Sequence, residues 1–122
     1  MLVSATLAAS AACTSASENR QRILAGASSA QPTAPLARVA AAARRCWFAG
    51  GDRRFARHAL VDERDSARPR LIAVAKADPQ GKPALVIEPA AGGGVQVYGP
   101  LATPAVRAEA RAFAAGRTEC RR

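Results

Sequence analysis

The feature that most constrains the fold of this chain is a set of three short apolar runs near its middle. Residues 71–75 and 84–87 are continuous apolar runs of strand length, and Val95–Tyr98 alternates apolar and polar residues. Between the first two runs, Asp78-Pro79-Gln80-Gly81 has Pro second and Gly fourth, as a type I turn prefers. Gly92-Gly93-Gly94 separates the last two. Strands with such short connections run antiparallel, so the sequence predicts a meander.

Helical patterns flank the three runs on both sides. The first opens at Thr33 as a cap and ends at Gly50-Gly51, and its apolar stripe is Leu36, Val39, Ala40, Ala43 and Trp47. The second opens at Thr103 and ends at Gly116, and its stripe is Val106, Ala110, Phe113 and Ala114. We expect Trp47, the single tryptophan, to anchor the core, and Glu109 to lie on the exposed face of the second helix.

The order of these elements predicts an α+β fold over residues 33–122. It is a small antiparallel three- or four-stranded meander with an N-terminal and a C-terminal helix packed on one face. The other face is expected to be partly solvated. Residues 55–61 supply the optional fourth strand, with a short helix as the alternative. Residues 62–66 are predicted to form a charged loop.

The N-terminal region differs in composition from the predicted domain. Residues 1–12 carry no charged side chain and have the length of a signal-peptide apolar core, which is too short to span a bilayer. Residues 13–32 are rich in Ser, Ala, Thr and Gln, and they contain too few bulky apolar side chains to form a core. We therefore expect a signal-peptide-like segment followed by a flexible tether.

The junction between these segments, Ser10-Ala11-Ala12-Cys13, resembles the lipobox of small exported bacterial lipoproteins. The resemblance implies that Cys13 carries lipid and that the protein lies in the periplasm, or at the outer or inner membrane through that lipid. The Leu usual in the family is Ser10 here, and no basic residue precedes the apolar core. Two alternatives stay open: cleavage after Ala9-Ser10-Ala11, which leaves a soluble exported protein, and a cytoplasmic protein that is not exported.

The resemblance also explains why the number of cysteines, three, is odd. If Cys13 carries lipid, Cys46 and Cys120 remain as a disulfide pair that joins the two ends of the predicted domain. The alternative is two unrelated thiols in a reducing compartment. A metal site is not expected, because the chain has no C-x-x-C pair and His58 is its single histidine. No cofactor is expected either.

The charge balance indicates the kind of partner. Lys and Arg number 18 against 9 Asp and Glu, a net charge of +9 that attracts anionic surfaces. We predict a structural or interaction protein of the cell envelope that binds an envelope protein or an anionic membrane surface. The predicted binding residues are Tyr98, Arg107, Arg111, Arg44 and Arg45.

Two other function classes are less favoured by the sequence. No catalytic residue is predicted. A serine, a histidine and an aspartate of the kinds that hydrolases use are present at Ser66, His58 and Asp62, but their spacing matches no catalytic motif. The alternative function is a basic nucleic-acid-binding protein, in which a basic patch lies beside Trp47 and Phe48 for single-stranded binding; the patch consists of Arg44, Arg45, Arg53, Arg54 and Arg57. Nucleic acid is the less favoured partner, because few aromatic residues are present and an exported protein meets little of it.

Overall fold

The computed structural model describes residues 33–121, so the predictions for residues 1–12, for the tether and for Cys13 lie outside the described residues. Along the chain, one α-helix precedes the four strands and a second α-helix follows them. The elements in chain order are α1 (Ala34–Ala43), a π-turn (Arg44–Phe48), a 3-10 turn (Arg53–Phe55), β1 (His58–Glu63), β2 (Arg70–Ala75), β3 (Leu85–Pro89), β4 (Val95–Tyr98) and α2 (Pro104–Ala114).

The four strands form one antiparallel sheet in the order β1-β2-β3-β4. This confirms the α+β meander between two helices and selects its four-stranded form. The first strand begins at His58 rather than at Phe55, because the Asp52 side chain accepts a hydrogen bond from the Arg54 N–H and caps a 3-10 turn there. Asp62 and Glu63 belong to this strand and not to the predicted loop, since they pair with β2.

The connections within the sheet are those that the turn residues predict. The Gly81 N–H donates to the Asp78 carbonyl at 3.0 Å, which closes the predicted turn. In the β3–β4 hairpin the Ala90 N–H donates to the Gly94 carbonyl at 3.1 Å. Gly92, Gly93 and Gly94 have φ values of +85°, +101° and +76°, a region that side chains disfavour. The glycine run is therefore a hairpin loop.

One face of the sheet, the inner face, packs against both helices. Its buried side chains are Leu71, Ala73, Leu85, Ile87, Val95 and Val97, which join the two predicted helix stripes in one apolar cluster. Trp47 is buried in this cluster, as predicted, and stacks on Phe55 with ring centroids 4.7 Å apart. Its ring also lies 5.6 Å from that of Phe113. The core thus concentrates its few aromatic rings where the helices meet.

A π-turn and a disulfide tie the two ends of the domain together. The Ala49 N–H donates to the Arg44 carbonyl at 2.8 Å, a five-residue step that widens the last turn of the first helix. Cys46 lies in this turn and is bonded to Cys120, with their Cα atoms 5.2 Å apart. The structure confirms the predicted pairing. The last helix is capped as expected, because Thr103 Oγ1 accepts from the Val106 N–H at 3.2 Å.

Candidate functional site

The structure separates the predicted binding residues onto two opposite surfaces. Tyr98 lies on the outer face of the sheet, which is the face turned away from the helices. Arg107 and Arg111 are exposed on α2, which packs on the inner face. One partner therefore cannot contact both groups across a single flat interface.

Glu109 does not share the exposure of its arginine neighbours, which corrects the expectation for this position. It is only 5% exposed, and its Oε2 lies 2.8 Å from Nη1 of Arg54. The same guanidinium binds the Asp52 carboxylate at 2.6 Å, and this hydrogen bond lowers the pKa of Asp52. The 3-10 turn brings Arg54 to α2, a contact that a local sequence pattern does not encode.

Arg44 and Arg45 are both engaged within the domain. A terminal nitrogen of Arg44 lies 3.0 Å from Asp62 Oδ2, and Arg64 binds the same oxygen at 2.7 Å. The side-chain hydrogen bond from Arg64, with a further one from Arg44, lowers the pKa of Asp62 to about 2. Arg45 donates from a terminal nitrogen to the Thr118 carbonyl.

The aromatic platform required for single-stranded nucleic acid is not formed at Trp47. Its ring is 2% exposed, and Phe48 is half-buried against the same core. Base stacking needs an accessible ring face. Arg44 and Arg54 are also paired with carboxylates. The described residues thus give the nucleic-acid alternative no additional support.

The outer face carries an apolar row that crosses all four strands. The register aligns Val61 with Ile72, Ile72 with Val86 and Val86 with Tyr98, so their side chains stand side by side. Ile72 and Val86 are buried, but Val61 is 38% exposed and Tyr98 41% exposed. Within residues 33–121 these are the exposed large hydrophobic side chains. Both ends of one row are therefore open to contact.

A row of charged residues runs beside the apolar row on the same face. Glu63 pairs with Arg70 at 3.3 Å, and Arg68 lies 3.6 Å from Glu88. Tyr98 Oη donates to Glu88 Oε1 at 2.6 Å, and this hydrogen bond raises the pKa of Tyr98. The outer face thus combines apolar contact area with charges of both signs, the composition expected of a protein-binding surface.

Ser66, His58 and Asp62, the three residues of the kinds that hydrolases use, do not contact one another through hydrogen bonds. The Ser66 hydroxyl lies within hydrogen-bond distance of two backbone carbonyls, 2.8 Å from that of Glu63 and 2.7 Å from that of Arg68. Asp62 binds two guanidinium groups, and Nδ1 of His58 has no hydrogen-bond partner. In the described part of the chain, no His, Cys, Asp and Glu side chains cluster as a metal site. None of the helices there is long and apolar enough to cross a membrane.

A half-open pocket lies on the helical side and contains one of the predicted binding residues, Arg45. It has a volume of about 130 Å³, lies between α1 and the end of α2, and includes Phe113 in its lining. Arg38, Arg45 and Arg117 also line it. The first two are seven residues apart, and therefore close to two helical turns, which is the one signal in the sequence that they share a face.

Comparison with protein-family models, with curated proteins and with solved structures found no match to this chain.

Proposed function

We propose that this protein is a small non-catalytic interaction protein of the cell envelope that binds a partner protein through the outer face of its sheet. The observation that carries the proposal is the exposure of Val61 and Tyr98 at opposite ends of one apolar row. Exposed apolar residues grouped on one face mark interaction sites more often than scattered ones do. Tyr98 adds a hydroxyl group that is held by Glu88, and tyrosines are enriched at such sites.

The charges on this face favour a protein partner over a membrane surface. Glu63 and Glu88 balance Arg70 and Arg68 there, so the outer face lacks the excess of positive charge that an anionic bilayer attracts. A partner protein fits this face if it places basic side chains opposite Glu63 and Glu88 and acidic side chains opposite Arg68 and Arg70. The contact area of four short strands is small, which suits a reversible encounter.

Two features support an envelope location. The Cys46–Cys120 bond is of the kind that persists in oxidising compartments. The lipobox-like residues Ser10-Ala11-Ala12-Cys13 supply a means of export and anchoring, in which Cys13 carries the lipid. We therefore place the protein in the periplasm, or at the outer or inner membrane through its N-terminal lipid.

Site-specific photo-crosslinking tests the binding surface. A photoreactive phenylalanine analogue replaces Tyr98 in one variant and Arg111 in the matched control, which is also exposed but lies on the helical side. We expect a discrete crosslinked species from position 98 that disappears when Val61→Asp is added. Equal crosslinking from both positions, or none from position 98, would contradict the proposal.

Intact mass tests the location separately. Protein from membrane fractions is expected to begin at Cys13 with added acyl mass and to gain two hydrogens on reduction. A soluble, full-length and unbridged species would refute the envelope proposal while leaving the crosslinking result unaffected.

A further inference from the structure

The pocket on the helical side combines an apolar floor with a cationic rim. Ala41, Ala42 and Phe113 are its apolar residues, and Arg38, Arg45 and Arg117 are its charged ones. Among the described residues that line it, none is acidic. Such a pocket attracts an anionic group that is attached directly to an apolar one.

The arginines retain donors for a ligand. Arg38 uses Nε to donate to the Ala114 carbonyl at 2.6 Å, which leaves its two terminal nitrogens available. Arg45 uses one terminal nitrogen on the Thr118 carbonyl. Within residues 33–121, Arg117 makes no side-chain hydrogen bond or ion pair. Guanidinium groups fixed by backbone carbonyls are oriented in advance, so less entropy is lost when they bind a carboxylate.

The C-terminal end of α2 does not oppose an anion at this place. A helix C-terminus carries partial negative charge on its last carbonyl groups. Here the carbonyls of Ala112 and Phe113 accept from backbone N–H groups that follow the helix, and that of Ala114 accepts from Arg38. These carbonyls therefore already have donors, and the full charges that line the pocket are those of the three guanidinium groups.

The size of the pocket decides between two kinds of occupant. Sites that enclose a whole small molecule measure roughly 300–1,000 Å³. This pocket, at about 130 Å³ and open on one side, holds about one large apolar side chain. A carboxylate next to a single apolar side chain occurs at the carboxyl terminus of a polypeptide, and carboxylate capture at chain ends is an established recognition mode.

We propose that this pocket binds the carboxyl terminus of a polypeptide that ends in an apolar residue. The terminal side chain lies on Phe113 and the two alanines, and the terminal carboxylate accepts hydrogen bonds from Arg38, Arg45 and Arg117. The disulfide holds one wall in place, because Thr118 lies two residues before Cys120. The site is separate from the outer sheet face, so either proposal can fail without the other.

Titration with short peptides tests the proposal. The probe is acetyl-Gly-Gly-Phe with a free carboxylate, added to the full-length protein at physiological ionic strength and followed by NMR of the backbone amides. We expect saturable binding with a Kd on the order of 1 mM, centred on Ala41, Ala42 and Thr118. The same peptide with a C-terminal amide should bind about tenfold more weakly, because the charge-assisted hydrogen bonds are lost.

Variants identify the groups responsible. Arg117→Gln should weaken binding about tenfold, whereas Arg107→Gln removes the same charge from the exposed side of α2 and should leave the Kd unchanged. Ala41→Phe fills the pocket from an exposed position and should abolish binding. Near-ultraviolet circular dichroism of Trp47 checks that each variant is folded.

Four results would overturn the proposal. The first is equal binding of the amide peptide and the acid peptide, and the second is a titration that does not saturate. The third is that Arg107→Gln weakens binding as much as Arg117→Gln, because an equal effect would indicate only general charge attraction. The fourth result comes from a titration with 3-phenylpropanoate, which has the same phenyl group and carboxylate without a peptide chain. If it binds more tightly than the acid peptide, the site belongs to a free carboxylate and the polypeptide proposal is wrong.

Discussion

Removing the disulfide should cost this protein a large part of its stability. The bond closes a loop with a sequence separation of 74 residues, from the end of the first helix to the residues after the last one. Chain-entropy arguments give about 4.5 kcal/mol for a loop of that length. Domains of this size have a free energy of unfolding of roughly 5–15 kcal/mol in total. The Cys46→Ser, Cys120→Ser variant should therefore retain the fold at 25 °C with a much smaller free energy of unfolding.

Equilibrium unfolding in guanidinium chloride measures this effect. Trp47 is the single tryptophan and is buried against Phe55 and Phe113, so its fluorescence reports the core directly. We expect the double variant to lose about 4 kcal/mol, and its melting temperature to fall by roughly 20–30 °C. Treating the wild-type protein with a reductant should give the same loss, whereas Cys13→Ser should give none.

A loss below about 1 kcal/mol would refute the reasoning. It would mean that the hydrogen bonds from Arg38 to Ala114 and from Arg45 to Thr118 already hold the C-terminal residues against the first helix. A loss in Cys46→Ser that differs from the loss in the double variant would point to an unpaired thiol as its source.

Three further predictions follow from single interactions. Glu109→Gln should cost about 1–2 kcal/mol in guanidinium unfolding, because the buried carboxylate pairs with the part-exposed Arg54, whereas the exposed Glu119→Gln should change little. The lowered pKa of Asp62, about 2, stabilises the fold above its unfolded-state pKa of about 4. This contribution is lost as the pH falls through the folded-state pKa, so Asp62→Asn should make the free energy of unfolding depend less on pH in acid. An unchanged dependence on pH would contradict this prediction. Absorbance at 295 nm should show the single tyrosine, Tyr98, ionising above its ordinary pKa, and Glu88→Gln should bring that pKa back down.

The local elements were predictable because short-range chemistry specifies them. The turn at Asp78, the glycine hairpin and the Thr103 cap each follow from the preferences of a few adjacent residues. The apolar stripes predicted which side of each helix packs inward, and all their members are buried. The start of β1 was misplaced because the Asp52 cap competes with strand pairing over the same residues.

The candidate sites were less accessible to prediction. Tyr98 was expected at a binding surface, but its separation from Arg107 and Arg111 depends on which face of the sheet receives the last helix. The pairing of Glu109 with Arg54 joins positions 55 residues apart, and a helical pattern gives no sign of it. The pocket was missed for the same reason, although Arg45 was a predicted binding residue, since its arginines come from α1, from the π-turn and from the residues after α2.

The sequence by itself determined the two helices, the three strands after residue 70, the meander that joins them and the apolar stripes. These follow from periodicity and from turn chemistry, which act locally, whereas the Cys46–Cys120 bond was expected from the resemblance of residues 10–13 to a lipobox. Only the tertiary structure decided which charges are neutralised, which apolar residues stay exposed and where a pocket forms. Those properties depend on contacts between residues that are distant in the chain, and such contacts exist only after the helices have packed on one face of the sheet.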